Sequence, residues 1–74
     1  MKSHTAVGTF KDLDHAEDAR SYLLANDFSE EDITVIPDGG NKVFLKIHAD
    51  DAIEMQEAVD VLRNYGAVDI SMTT

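Results

Sequence analysis

Between His4 and Phe10 the side chains fall into two alternating sets, Thr5, Val7 and Thr9 against Ala6, Gly8 and Phe10, which is the period of a β-strand. A glycine inside such a strand implies that another element passes close to it. Asp14 then stands where a helix N-cap belongs, with Glu17 three residues on in the capping-box position. From there Ala16, Ala19 and Leu23 recur at helical spacing, and Tyr22 and Leu24 widen the stripe. This first helix is predicted to end near Asn26 or Asp27, residue types that tolerate a left-handed backbone. Its alanines are expected to let it lie close to the sheet near Gly8.

Ser29-Glu30-Glu31-Asp32 is expected to form a short capped turn, and Ile33-Thr34-Val35-Ile36 is a β-branched run stopped by Pro37. Asp38-Gly39-Gly40-Asn41 supplies residues that reach positive φ at little cost, so a hairpin is expected to lead into a third strand. In that strand Val43, Leu45 and Ile47 take one face, and Lys42, Phe44, Lys46 and His48 the other. Asp50 or Asp51 opens a second helix, in which Met55, Ala58, Val59 and Leu62 fit the i, i+3, i+4, i+7 template and Gly66 closes the C-terminus. Val68, Ile70 and Met72, alternating with Asp69 and Ser71, make a fourth strand.

The order is βαββαβ. Right-handed crossovers then dictate an α+β ferredoxin-like sandwich, with a four-stranded antiparallel sheet in the order 4-1-3-2 and both helices on one face. All 74 residues are expected to form one domain, since a chain this short has no core to divide. With 43% apolar and 28% charged residues it lies in the globular range, and folding is expected.

Six Lys and Arg against fifteen Asp and Glu give a net charge of -9. The basic residues Lys2, Lys11, Arg20, Lys42, Lys46 and Arg63 are scattered, so nucleic-acid phosphates and anionic membranes are not expected as partners. No cysteine is present to staple the fold or ligate a metal. Met1-Lys2-Ser3-His4-Thr5 leads directly into a strand pattern without an apolar segment, and with the missing cysteines this makes a cytoplasmic protein the expectation.

No constellation of catalytic type is apparent. His4, His15 and His48 are not spaced as metal ligands, and the carboxylates Asp12, Asp14, Glu17 and Asp18 are explained by the preference of a helix N-terminus for negative charge. The same holds for Asp50, Asp51 and Glu54, and Glu30-Glu31-Asp32 has the composition of a solvated turn. Gly39-Gly40 is a hairpin turn and not a phosphate cradle, because no helix begins there. No catalytic residue, cofactor site or metal site is assigned.

The surface that stands out is the sheet face away from the helices. It should display Thr5, Val7 and Thr9 from the first strand, Phe44, Lys46 and His48 from the third, and Ile36 from the edge. A half-apolar open face on so small a domain marks an interaction site, and association about a two-fold axis is its commonest use. Stacking of single-stranded RNA on such a sheet is disfavoured, because Phe44 is the one aromatic there and the net charge is of the wrong sign.

Several strings resemble a known family. Val7-Gly8-Thr9-Phe10, the Ala16, Ala19, Leu23 helix and Phe28-Ser29-Glu30-Glu31-Asp32-Ile33-Thr34-Val35-Ile36 resemble the opening of the bacterial general stress, or heat-induced stress, protein domain family. Val43 to Ala49, Asp50-Asp51 and Leu62-Arg63-Asn64-Tyr65-Gly66-Ala67-Val68-Asp69-Ile70 are similar to the second half of related chains. Asp27 departs from the glycine usual in that family at the helix end. The resemblance implies a bacterial, stress-associated accessory domain without assigned biochemical activity, and brings no catalytic residues. A weaker resemblance is to the glycan-binding SPOR domain, whose second V-G-x-F is replaced here by Val43-Phe44-Leu45-Lys46-Ile47-His48.

The leading expectation is a non-enzymatic domain that forms a homodimer or binds a protein partner through Val7, Thr9, Ile36, Phe44, Lys46 and His48. The alternatives are a regulatory domain of the ACT type with a small-molecule ligand where two copies meet, the SPOR-like reading, and a small enzyme using His48 as a base.

Overall fold

The strand alternation of the sequence reappears as two chemically different sheet faces. The computed structural model describes residues 3–73, so Met1 and Lys2, at the start of the stretch expected to lead into the first strand, lie outside the described residues. The elements are β1 (His4–Phe10), α1 (Leu13–Ala25), a 3-10 turn (Glu30–Asp32), β2 (Ile33–Pro37), β3 (Val43–Ala49), α2 (Ala52–Asn64) and β4 (Asp69–Thr73). They form one antiparallel sheet in the order β2-β3-β1-β4, the expected 4-1-3-2 order, and the chain is an α+β ferredoxin-like sandwich.

Ala6 and Phe10 of β1 and Leu45 and Ile47 of β3 are fully buried on the side that the helices cover. Leu23 of α1 and Val59 and Leu62 of α2 close over them. Phe28 and Ile33 extend this core under the start of β2. The Val43, Leu45, Ile47 set therefore faces inward as its alternation implied, and Phe44, Lys46 and His48 face outward, each half-buried.

Both helices are capped at both ends, and one cap differs from expectation. The N-cap of α1 is Asp12, not Asp14: its extended backbone aims the carboxylate at the helix start, where Oδ1 accepts from His15 N at 2.9 Å. Asp14 lies inside the first turn, where its charge still suits the helix dipole. Asp51 caps α2 by accepting from Glu54 N at 2.8 Å, and the Glu54 carboxylate accepts from Asp50 N at 3.4 Å. At the C-termini Asp27 and Gly66 hold φ of 72° and 92°. Phe28 N donates to Leu23 O at 3.1 Å, and Ala67 N to Leu62 O at 3.0 Å, the six-to-one bond of a left-handed helix end.

Gly8 is tight against a helix, but against α2 instead of the alanine face of α1. A Cβ there would lie 2.7 Å from Leu62 Cδ2. Helix α1 lies instead over β3 and against α2, where Ala16 and Ala19 are fully buried. Tyr22, counted on the apolar stripe, is 46% exposed. The Ser29 turn forms through Asp32 N donating to Ser29 O at 3.0 Å, while the Ser29 side chain makes no capping hydrogen bond. Asp38 stabilises the hairpin by accepting from Gly40 N at 2.9 Å, and Asp38 N closes the loop on Lys42 O at 3.2 Å. The last strand begins at Asp69. Val68 precedes it, exposed, with its N-H donating to Thr9 O at 2.8 Å.

Candidate functional site

Register places the expected interaction residues in rows across the open sheet. Ile36, Phe44, Thr9 and Asp69 are cross-strand neighbours in one row, and Thr34, Lys46, Val7 and Ser71 form the next. A third row joins His48, Thr5 and Thr73. All six candidates, Val7, Thr9, Ile36, Phe44, Lys46 and His48, thus share one face, because each occupies the outward parity of its strand.

The rows have a gradient of character. Ile36 is 41% exposed at the edge and lies beside Phe44, so the apolar part sits toward β2. Toward β4 the face turns polar through Asp69, Ser71 and Thr73. Lys46 and Asp69 are the basic and acidic residues among the strand positions of this face, so it is close to neutral on a chain of net charge -9. His48 Nδ1 and Thr5 Oγ1 are hydrogen-bonded at 3.2 Å, with the direction set by the imidazole tautomer.

The other histidines are held differently. His15 Nδ1 donates to Asp12 Oδ1 at 2.6 Å, beside the backbone bond from His15 N to the same oxygen. That backbone hydrogen bond, followed by the side-chain one, holds the Asp12 carboxyl below the usual carboxylate range. His4 Nδ1 is buried on β1 without a hydrogen-bond partner among the described residues. No three or more histidine or carboxylate side chains converge to hold a metal ion among the described residues. No helix among them is long and apolar enough to cross a membrane.

A second concave region was not foreseen from the sequence. Between the C-terminal half of α1 and α2 lies a groove of about 370 Å³ whose walls include Tyr22, Phe28, Glu57, Asp60 and Tyr65. The rings of Tyr22 and Tyr65, both lining it, are in contact, with centroids 5.7 Å apart and planes tilted by 42°. The available sequence signal was the acidic ridge Glu54, Glu57 and Asp60 along one side of α2, which recurs every three residues.

Fold and face together define a ferredoxin-like α+β domain with one covered and one open sheet surface. No family model matches the chain, and comparison with curated proteins gives no match.

Proposed function

We propose that this chain is a non-enzymatic, cytoplasmic domain of bacterial stress-associated type that acts by pairing with a second copy of itself through the open sheet face. The observation that carries this is the row Ile36, Phe44 and Thr9 beside Val7, an apolar strip on the uncovered side of the sheet. The near-neutral charge of that face supports a like partner, because it is where two acidic chains approach with least local repulsion. The stress-associated assignment rests on the V-G-x-F strand, the acidic turn with its I-x-V-I strand, and the G-A-V-D stretch, which fall on β1, on β2 with the turn before it, and on the passage from α2 to β4.

Size sets the expected strength. Two central strands of 7 residues and two edge strands of 5 give a planar footprint of roughly 400 Å² per copy at about 3.4 Å per residue and 4.8 Å per strand. Roughly 800 Å² for the pair is below the ~1,200 Å² where stable complexes begin, so a weak dimer with micromolar dissociation is expected. Light scattering behind a sizing column should show mass rising with concentration. Phe44→Asp and Ile36→Lys should each return the protein to monomer with unchanged circular dichroism. A monomer at every concentration, or association indifferent to both substitutions, would sink the proposal.

A further inference from the structure

The groove between the helices combines three features that a merely structural crevice does not need. Its walls are aromatic: Tyr22, Tyr65 and the buried Phe28 line it, and the two tyrosine rings lie against each other. Its rim is acidic, with Glu57 and Asp60 on α2, and an adjoining depression of about 350 Å³ shares Glu57 and adds Asp27 and Glu54. It also opens at the C-terminus of α1, whose last turn has no basic residue. The negative end of a helix dipole thus faces carboxylates of the same sign, an arrangement that a bound cation would relieve.

Charge and shape together select the kind of cation. The carboxylates Glu54, Glu57 and Asp60 follow one another every three residues, about 4.5 Å apart along the helix axis, so they form a line instead of a cluster. No point of metal-binding convergence exists among the described residues, which argues against a divalent ion. A line of negative charge beside two tyrosine rings suits a flexible organic cation, whose charged centres sit near carboxylates while its methylenes and ammonium groups lie on the ring faces. Within the line the carboxylates are engaged unequally. Asp60 accepts from Gln56 Nε2 at 3.1 Å and lies 3.9 Å from Arg63 Nη1. Glu57, at the junction of the two depressions, makes no hydrogen bond or ion pair among the described residues.

We infer that the α1–α2 groove binds a linear aliphatic polyamine, with Glu57 as its central anionic contact and the Tyr22 and Tyr65 rings as its apolar wall. The site lies on the helical layer and does not depend on the sheet face being occupied.

The probe is spermidine, titrated into the intact chain at low salt by calorimetry and by amide chemical-shift mapping. Saturable shifts should appear at the end of α1 and along α2. Glu57→Gln and Tyr22→Leu should each weaken binding by about fivefold. Glu31→Gln, on the exposed turn before β2, removes the same charge and should leave affinity within about twofold. Magnesium at equal charge concentration should fail to displace the amine. Non-saturable binding, shifts spread over the whole acidic surface, equal weakening by Glu31→Gln, or displacement by magnesium would each overturn the inference, since they describe a counterion atmosphere and not a site.

Discussion

Asp27 holds a φ of 72° at the end of α1, the same left-handed position that Gly66 fills at the end of α2. A side chain with a Cβ pays about 1–2 kcal/mol there, less for Asp than for most, while glycine pays almost nothing. Asp27→Gly should therefore raise stability by about 0.5–1 kcal/mol in urea denaturation, an effect that a position of ordinary φ would not show. Removing this carboxylate from beside the negative end of α1 acts in the same direction. Asp12 makes the opposite case, a carboxylate where charge is favoured. Its folded-state pKa is lowered by the backbone bond from His15 N and then by the His15 side chain. That contribution is fully present above the unfolded-state value of about 4 and is lost as pH falls through the lower folded value. Asp12→Ala should then lower the thermal midpoint near pH 6 more than Asp14→Ala does, and the gap from the parent should narrow as pH falls below the ordinary carboxylate value of about 4. Equal effects of the two alanines at neutral pH would mean that the observed cap is not what holds the helix start.

At the scale of elements, the packing of α2 on β1 turns on Gly8. Its missing Cβ leaves room for Leu62, fully buried, whose Cδ2, Cδ1 and Cγ would meet an added methyl at 2.7, 3.1 and 3.2 Å. Gly8→Ala should cost about 1–3 kcal/mol by overpacking, and combining it with Leu62→Ala should cost less than the two substitutions summed. Additive losses would show that the two residues do not share the contact. That a helix crosses at Gly8 was legible in the sequence, but which helix was not. Periodicity reports the face of an element, whereas the lateral position of a helix over a sheet follows from the crossover and from the volumes beneath it. The faces of β1 and β3 were legible for the same reason: parity fixes Thr5, Val7 and Thr9 on the side of Phe44, Lys46 and His48 once Ala6, Phe10, Leu45 and Ile47 point inward. The choice of Asp14 over Asp12 failed because both are followed by residues able to complete a cap, and Glu17 matches the sequence signature while His15 supplies the actual bond. The α1–α2 groove was hidden because Tyr22 fits an apolar stripe in projection, and only the paired ring of Tyr65, far along the chain, reveals that it lines a surface.

For the whole molecule, the -9 net charge decides how pairing through the sheet must respond to salt. The shortest extent of the molecule is 20 Å, which is close to the distance between the centres of two copies stacked face to face. Treated as point charges in water, the two copies repel by about 9 kcal/mol when the Debye length is ~30 Å and by about 1 kcal/mol when it is ~8 Å. Micromolar dissociation corresponds to about 8 kcal/mol net of the cost of association, which a repulsion of about 9 kcal/mol cancels at low salt and one of about 1 kcal/mol does not near physiological ionic strength. Sedimentation equilibrium should therefore find the protein monomeric at ~10 mM salt and progressively dimeric by ~150 mM, with the dissociation constant falling at least about a hundredfold. An interface held mainly by pairing of Lys46 with Asp69 across the two copies would behave in the reverse sense, since screening weakens attraction between opposite charges as it does repulsion between like ones. The sign of the salt effect thus distinguishes an apolar interface centred on Phe44 from an ionic one, and a dissociation constant that worsens with salt would move the contact away from the Ile36, Phe44 and Val7 strip.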